Sequence, residues 1–311
     1  MGKLAFIFPG QGSQYVGMGQ ELFQTPSGMK IKEIAREILG SKFLALLEEG
    51  PEEELQQTVN TQPAILLVSV AAWLHLHEAG IEPDYVAGHS LGEYSAHVAA
   101  GSLDLAEALR VVKRRGELMQ EAVPAGGGMA AILGLSTDQV EKACQRAAEH
   151  GVVAPANYNC PGQVVISGEL VAVAYAIEVA KELGAKRAIP LVVSGPFHSR
   201  LMARVGEALR LVLEGVSWHT PRYPVIANID ATEVCSVERT VSTLVEQVSG
   251  AVRWEQSVRH LLDLGVDTFV ECGPGKVLTG LVKKIAPGAN LLRIEDLASL
   301  KKSLAYLKES R

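Results

Sequence analysis

The pentapeptide Gly88-His89-Ser90-Leu91-Gly92 follows a short apolar run, Asp84-Tyr85-Val86-Ala87, and precedes a stretch of helical character from Glu93 to Ala100. Strand, Gly-x-Ser-x-Gly turn and helix together make a nucleophile elbow, which lifts a serine hydroxyl clear of a sheet. Side chains two residues either side of the serine would collide in so tight a turn, which accounts for glycine at 88 and 92. The helix N-terminus is aimed at any anion that forms beside Ser90. A Gly-rich strand-to-helix turn without chemistry is the plainer reading of the same letters.

A serine hydroxyl is a weak nucleophile and needs a base within hydrogen-bond reach. Of the eight histidines, His75 and His77 lie in a long apolar helix, and His150, His219 and His260 sit in ordinary polar surroundings. His198, in Ser194-Gly195-Pro196-Phe197-His198-Ser199, follows a strand and a Gly-Pro turn, from which a side chain can enter a cleft. Acyl chemistry also needs two donors for the developing oxyanion. The elbow offers the backbone N–H of Leu91, and the turn Gly10-Gln11-Gly12 after the first strand is the natural source of the second. That turn is no dinucleotide loop, because Tyr15 stands where a third glycine is required; Gly273-Pro274-Gly275-Lys276-Val277 is no P-loop, because Val277 replaces Ser or Thr. Glu93 falls in the first turn of the elbow helix, where a carboxylate favours the dipole, and that is its expected role.

Arg115 shares a helical face with Val111, Val112 and Met119, while Lys113 and Arg114 fall on the outer side. An inward arginine is either paired in a salt bridge or waits for an anionic ligand, and both readings stand at this point.

The elements that must carry these residues follow from the pattern. Lys3–Phe8 reads as a buried strand, Thr61–Ala79 as a long apolar helix with Pro63 near its start, and Asp104–Val123 as an amphipathic helix. Pro124-Ala125-Gly126-Gly127-Gly128 then breaks the chain. Strand 129–133, helix 137–149, strands 152–157 and 163–167, helix 170–183 and strand 186–190 give the βαββαβ order of a ferredoxin-like unit. A helix from Ser199, a strand at Tyr223–Ala227, helices near Val241 and Glu255, a strand at Thr268–Glu271 and a helix from Leu297 resume the earlier style.

The chain of 311 residues can bury a substantial core, and its net charge of −6 with no basic block excludes nucleic acid as the main partner. Cys144, Cys160, Cys235 and Cys272 are scattered without metal-ligand spacing, which fits a reducing compartment and no bound metal. The N-terminal apolar run is too short for a signal peptide, and Ala64–Leu74 is too short to span a bilayer. A soluble, cytoplasmic protein without membrane contact is expected; nothing demands a dimer, so a monomer is expected too.

Together these segments resemble the malonyl-CoA:acyl-carrier-protein transacylases and the acyltransferase domains of polyketide and fatty-acid synthases, over essentially the whole chain. The marks are Phe8-Pro9-Gly10-Gln11-Gly12-Ser13-Gln14, Gly88-His89-Ser90-Leu91-Gly92-Glu93, Arg115-Gly116 with Met119-Gln120, and Asn159-Cys160-Pro161-Gly162-Gln163. Further marks are Gly195-Pro196-Phe197-His198-Ser199, Asn228, Gln247 and Glu271-Cys272-Gly273-Pro274-Gly275. The resemblance implies an α/β-hydrolase-like large domain over 1–123 and 197–311, with the small ferredoxin-like domain inserted at 124–196. It implies a Ser90–His198 dyad, an oxyanion hole from the N–H groups of Gln11 and Leu91, and Arg115 as a bidentate clamp on a malonyl carboxylate. Backbone carbonyls near Gln247 would orient the histidine, with Asn228 in the same neighbourhood. His89, Met119, Asn159, Gln163 and Phe197 complete the expected substrate surroundings; phenylalanine before the histidine accompanies malonyl choice in synthase domains. The family often has proline before Val252-x-Trp254, where this chain has Ala251.

The implied reaction is ping-pong transfer of malonyl from malonyl-CoA, through Ser90, to the phosphopantetheine thiol of holo acyl carrier protein. No cofactor is implied beyond the coenzyme A thioester itself. A thiolate leaves readily, so a dyad suffices without an acid partner. Lys181, Lys186, Arg187, Lys276, Lys283 and Lys284 are candidates for meeting an acidic carrier protein. The rival readings are a polyketide acyltransferase, a serine thioesterase, and a docking module without catalysis. An intact elbow, His198 and Arg115 speak against the last.

Overall fold

The structure is a computed structural model that describes residues 2–122, 126–193 and 195–309. Its strands are β1 (Lys3–Phe8), β2 (Tyr85–Gly88), β3 (Gly127–Leu133), β4 (Val153–Cys160), β5 (Gln163–Glu169), β6 (Arg187–Pro190), β7 (Val225–Ile226), β8 (Glu233–Val234), β9 (Val266–Cys272) and β10 (Asn290–Ile294). Six of them form one sheet in the order β10-β9-β1-β2-β7-β8, parallel except for β8. A parallel sheet is covered on both faces, so its central strand reads as one apolar run. In β1, Leu4, Phe6 and Phe8 enter one core and Ala5 and Ile7 the other, with the period of two that a strand imposes. Because β1, β2 and β9 are parallel, the turns that follow them gather on one rim of the sheet.

The second sheet, β4-β5-β3-β6, is antiparallel throughout, and it carries helices Thr137–Ala147 and Leu170–Glu182. Ala130 and Ile132 pack with Val140, Ala143, Val173 and Ala176 in a core of their own, whereas Met129, Ala156 and Val165 join the main core. The expected βαββαβ unit is therefore present and is fused to the large sheet through its second face. Val252 adds to this join: its N–H donates to the Ala156 carbonyl at 2.8 Å, and its carbonyl accepts from the Tyr158 N–H at 2.9 Å. That bridge pins the segment in which Ala251 stands in place of proline.

Some expectations shift. The long apolar helix begins at Thr58, one turn early, so Pro63 lies inside it rather than at its head. This helix, Thr58–Glu78, is long and apolar enough to cross a membrane, yet 72% of its apolar window is buried within the fold. The strand expected over Tyr223–Ala227 shortens to Val225–Ile226. Residues 124 and 125 of the expected break, and Val123 at the end of the expected helix, lie outside the described residues, while Gly127 and Gly128 belong to β3 instead of the break. Helices Pro26–Leu39 and Ser41–Glu49 and the edge strand β10 had no counterpart in the sequence reading.

The elbow is built against the end of β1. A Cβ on Gly92 would stand 2.0 Å from the Phe8 carbonyl oxygen, and one on Gly88 would stand 1.9 Å from the Gly92 carbonyl carbon. The His89 N–H donates to that same Phe8 carbonyl at 3.0 Å. Gly92→Ala is therefore expected to cost about 3 kcal/mol or more, because backbone cannot yield as a side chain can. Gly280→Ala, in helix Val277–Ile285 with open space around its Cβ, should instead add roughly 0.5–1 kcal/mol. Urea denaturation of both variants reads the contrast; equal stabilities would refute the packing argument.

Candidate active site

Ser90 stands at the apex of the elbow with φ of 52°, and His198 also lies in the left-handed region at 57°. Such conformations are strained for non-glycine residues and persist only where surrounding contacts hold them. For Ser90 the contacts come from Asn228, whose Oδ1 accepts the Ser90 N–H at 2.6 Å while its Nδ2 donates to the Gly88 carbonyl at 2.6 Å. The serine hydroxyl lies 2.8 Å from His198 Nε2. His198 Nδ1 faces two carbonyls, of Gln247 at 2.8 Å and Gly250 at 3.2 Å. Two acceptors at Nδ1 fix the proton there and leave the Nε2 lone pair directed at Ser90. Burial, then the charge of Arg115, hold the imidazole down to about 3, so at neutral pH it is an unprotonated acceptor.

Arg115 descends from helix Leu105–Glu121 and is 1% exposed. Its Nη1 donates to Gln62 Oε1 at 2.8 Å, and its Nη2 to Gln247 Oε1 at 3.0 Å, with Ser90 Oγ 3.3 Å away. Among the described residues no carboxylate pairs with this guanidinium. The salt bridge that usually explains a buried arginine is absent, and two neutral amides hold the cation instead. Its charged group opens into a cavity of about 120 Å³ that Gln11, His89, Ser90, Leu91, Met119 and Phe197 help to line. A larger hollow of about 470 Å³ against β10 holds none of these residues.

Gln11 and Leu91 both face this cavity, and among the described residues neither backbone N–H has an acceptor within the chain. Gly10 brings the first turn against the elbow: a Cβ there would be 2.3 Å from the His89 carbonyl oxygen. Two N–H groups on the same cavity as a serine hydroxyl can receive the oxyanion of a tetrahedral intermediate. His89, whose Nε2 meets Asn159 Oδ1 at 2.9 Å, is held down by burial and serves as wall.

The structure thus gathers Ser90, His198, Gln11, Leu91, Arg115, Met119, His89 and Phe197 around one cavity, with Asn159, Asn228 and Gln247 directly behind them. Gln163 departs from expectation. It begins β5 opposite Leu133, at the outer end of the small sheet, where its Oε1 accepts from Lys284 Nζ at 3.2 Å. The antiparallel register carries it away from the serine. Sequence reasoning missed Gln62, the last polar residue before the apolar helical run Pro63–Val68, which was the available signal. It also missed Met129, Asn157, Leu191 and Val193, small-sheet and linker residues that line the cavity.

The acyl transferase domain family matches residues 5–300 of this chain. The chain belongs to that family. The malonyl CoA-acyl carrier protein transacylase of Bacillus subtilis strain 168 is 48% identical, covering 99% of this chain and 98% of its own length. Among solved structures, an acyl carrier protein S-malonyltransferase from Vibrio cholerae superposes with a TM-score of 0.94 at 44% identity, covering 97% of this chain and 99% of its own. A malonyl-transacylase solved in complex with a type II polyketide acyl-carrier protein gives 0.95 at 44%, covering 98% and 99%. This acyl transferase therefore carries the family fold from end to end, including the α/β arrangement with the smaller ferredoxin-like unit.

The depressed imidazole has a direct test. Below its ordinary 6.5 the unfolded chain binds a proton at His198 that the folded chain refuses, so this group's contribution to stability is lost as pH falls from about 6.5 towards about 3. Nitrogen-15 NMR should find the His198 ring neutral at about pH 5, and Arg115→Met should move its titration upward. A ring that titrates near 6.5 in both proteins contradicts the account.

Proposed function

We propose that this chain transfers a malonyl group from malonyl-CoA to the pantetheine thiol of holo acyl carrier protein, supplying chain elongation in fatty-acid synthesis. The observation that carries the reading is the buried Arg115 guanidinium beside a serine–histidine pair, with amide partners and, among the described residues, no paired carboxylate. A malonyl thioester offers a carboxylate for that cation and a carbonyl for Ser90. The names of the Bacillus and Vibrio relatives support the donor and acceptor, and the complexed neighbour supports a carrier protein as partner.

In the proposed reaction, Ser90 Oγ attacks the thioester carbonyl while His198 Nε2 takes the hydroxyl proton. The carbonyl π pair moves onto oxygen and is received by the N–H groups of Gln11 and Leu91. Collapse re-forms the carbonyl and breaks the carbon–sulfur bond; the departing CoA sulfur takes the proton from His198. The carrier thiol then gives its proton to His198, attacks the malonyl-serine ester, and the same steps run in reverse. Burial and, after it, the Arg115 charge hold His198 down; the arriving carboxylate offsets the second of these, so acyl binding itself makes the base stronger.

A buried cation left without an anion disfavours acetyl groups. Arg115→Ala should lower kcat/KM for malonyl transfer roughly 100-fold or more, about 3 kcal/mol, and leave acetyl transfer within about threefold. Equal loss for both acyl groups sinks the clamp.

The carrier's approach is the finer part of the proposal. Arg187 and Gln163 flank Leu133 in register, the Lys186 N–H donates to the Leu133 carbonyl, and Lys284 reaches Gln163, so Lys186, Arg187 and Lys284 share one end of the small sheet. Lys181 is paired with Glu178, and Lys276 faces the hollow at β10. Charge reversal at Arg187 and Lys284 should slow discharge to the carrier about tenfold with Ser90 acylation unchanged; stopped-flow measurement of each half-reaction checks this, and unchanged discharge refutes it. The complexed neighbour makes a polyketide carrier the second acceptor to assay.

A further inference from the structure

We infer that Glu93 is a positioning residue: it sets which way the side-chain amide of Gln247 points, and thereby aims the Arg115 guanidinium at the acyl carboxylate. The inference rests on the malonyl-clamp reading and adds the residue that makes the clamp directional.

Glu93 and Gln247 are both fully buried. Gln247 Nε2 donates to Glu93 Oε2 at 2.7 Å and to the Ser90 carbonyl at 3.0 Å, which leaves Gln247 Oε1 for Arg115 Nη2 at 3.0 Å. The two ends of a primary amide have nearly the same shape and opposite hydrogen-bonding character. Turned over, Gln247 would present N–H groups to a cation and its oxygen to two acceptors. The Ser90 carbonyl opposes that turn with one bond; Glu93 supplies the second. No water competes in a buried site, so each unmade bond there counts in full.

The usual purpose of a first-turn glutamate is to favour its own helix dipole. Glu93 Oε2 instead meets donors far off in the chain: Gln247 Nε2 and, at 3.0 Å, the Asn228 backbone N–H. The Asn228 contact steadies the residue that straps Ser90 N–H to the Gly88 carbonyl. That second arm acts on the nucleophile and must affect every acyl group alike. The amide arm acts through Arg115 and must affect malonyl alone. Glu93 touches neither the serine hydroxyl nor the cavity, so it positions and does not react.

The experiment compares kcat/KM for Ser90 acylation by malonyl-CoA and by acetyl-CoA in wild type, Glu93→Ala, Glu93→Gln, Gln247→Leu, the Glu93→Ala/Gln247→Leu pair, and Arg115→Ala. Glu93→Ala should lower the malonyl-to-acetyl ratio about tenfold. Glu93→Gln should keep it within about threefold, since an amide oxygen can accept both bonds. The double variant should fall no further than Gln247→Leu alone, as expected for two residues on one path. Should Glu93→Ala not fold, Glu93→Leu keeps the volume, removes the acceptor and takes its place. A Glu93→Ala ratio equal to wild type, with both substrates slowed alike, overturns the inference. So does a Glu93→Gln ratio as low as that of Glu93→Ala, which would make the charge the cause. Arg115→Ala separates the two levels: if it lowers the ratio and Glu93→Ala does not, only the positioning claim falls. If Arg115→Ala leaves the ratio unchanged, the clamp falls and the positioning claim with it.

Discussion

A guanidinium 1% exposed to solvent, with no carboxylate ion-paired to it among the described residues, is an expensive thing to bury, and much of this site follows from how the fold tolerates it. Two amide oxygens, from Gln62 and Gln247, carry the cation without neutralising it. The remaining positive field acts on its surroundings. Burial and, after it, this charge keep His198 unprotonated, and the charge leaves the cavity favourable to an anion. Glu93 is the nearby acid, but burial pushes it up to about 7, so it does not serve as a full counter-charge at neutral pH. A free carboxylate on the acyl group completes what the fold leaves open, which is why we assign selectivity and activation to one residue.

The second constraint is backbone on backbone. The elbow, the end of β1 and the Gly10 turn approach so closely that no Cβ fits at 10, 88 or 92. That closeness brings the Gln11 and Leu91 N–H groups, from the turns after β1 and β2, to the cavity that holds the serine hydroxyl. The base arrives from the opposite direction, from a chain returning out of the small sheet, and is held by carbonyls of the 247–250 segment. Val252 ties that segment to β4, so the small sheet supports the base while the large sheet supports the nucleophile. The rigidity of this segment comes from that strand-like pair.

What the sequence made legible was local. Glycine at 88 and 92 announces a turn of one shape, and the six elements between 127 and 190 follow each other with clear changes of period. Arg115 could be placed on an inner face by spacing alone, but whether it met a carboxylate could not, because its partners at 62 and 247 come from distant elements. Glu93 read as a helix-dipole residue, since its real partners are equally far away in the chain. Gln163 shares a family motif with Asn159 and so was expected in the site. The antiparallel turn between β4 and β5 sends the two in different directions. β10 was missed as an edge strand whose residues are only partly buried, which weakens the apolar pattern.

The central claim is a covalent acyl group on Ser90 that is then passed to a carrier thiol. Intact-protein mass spectrometry of wild type and Ser90→Ala, first with malonyl-CoA and then with holo acyl carrier protein, tests it most directly. The account predicts one malonyl adduct on wild type, none on Ser90→Ala, and its disappearance as the carrier gains the same group. An adduct that survives Ser90→Ala, or malonyl-CoA hydrolysed with no gain on the carrier, would contradict it.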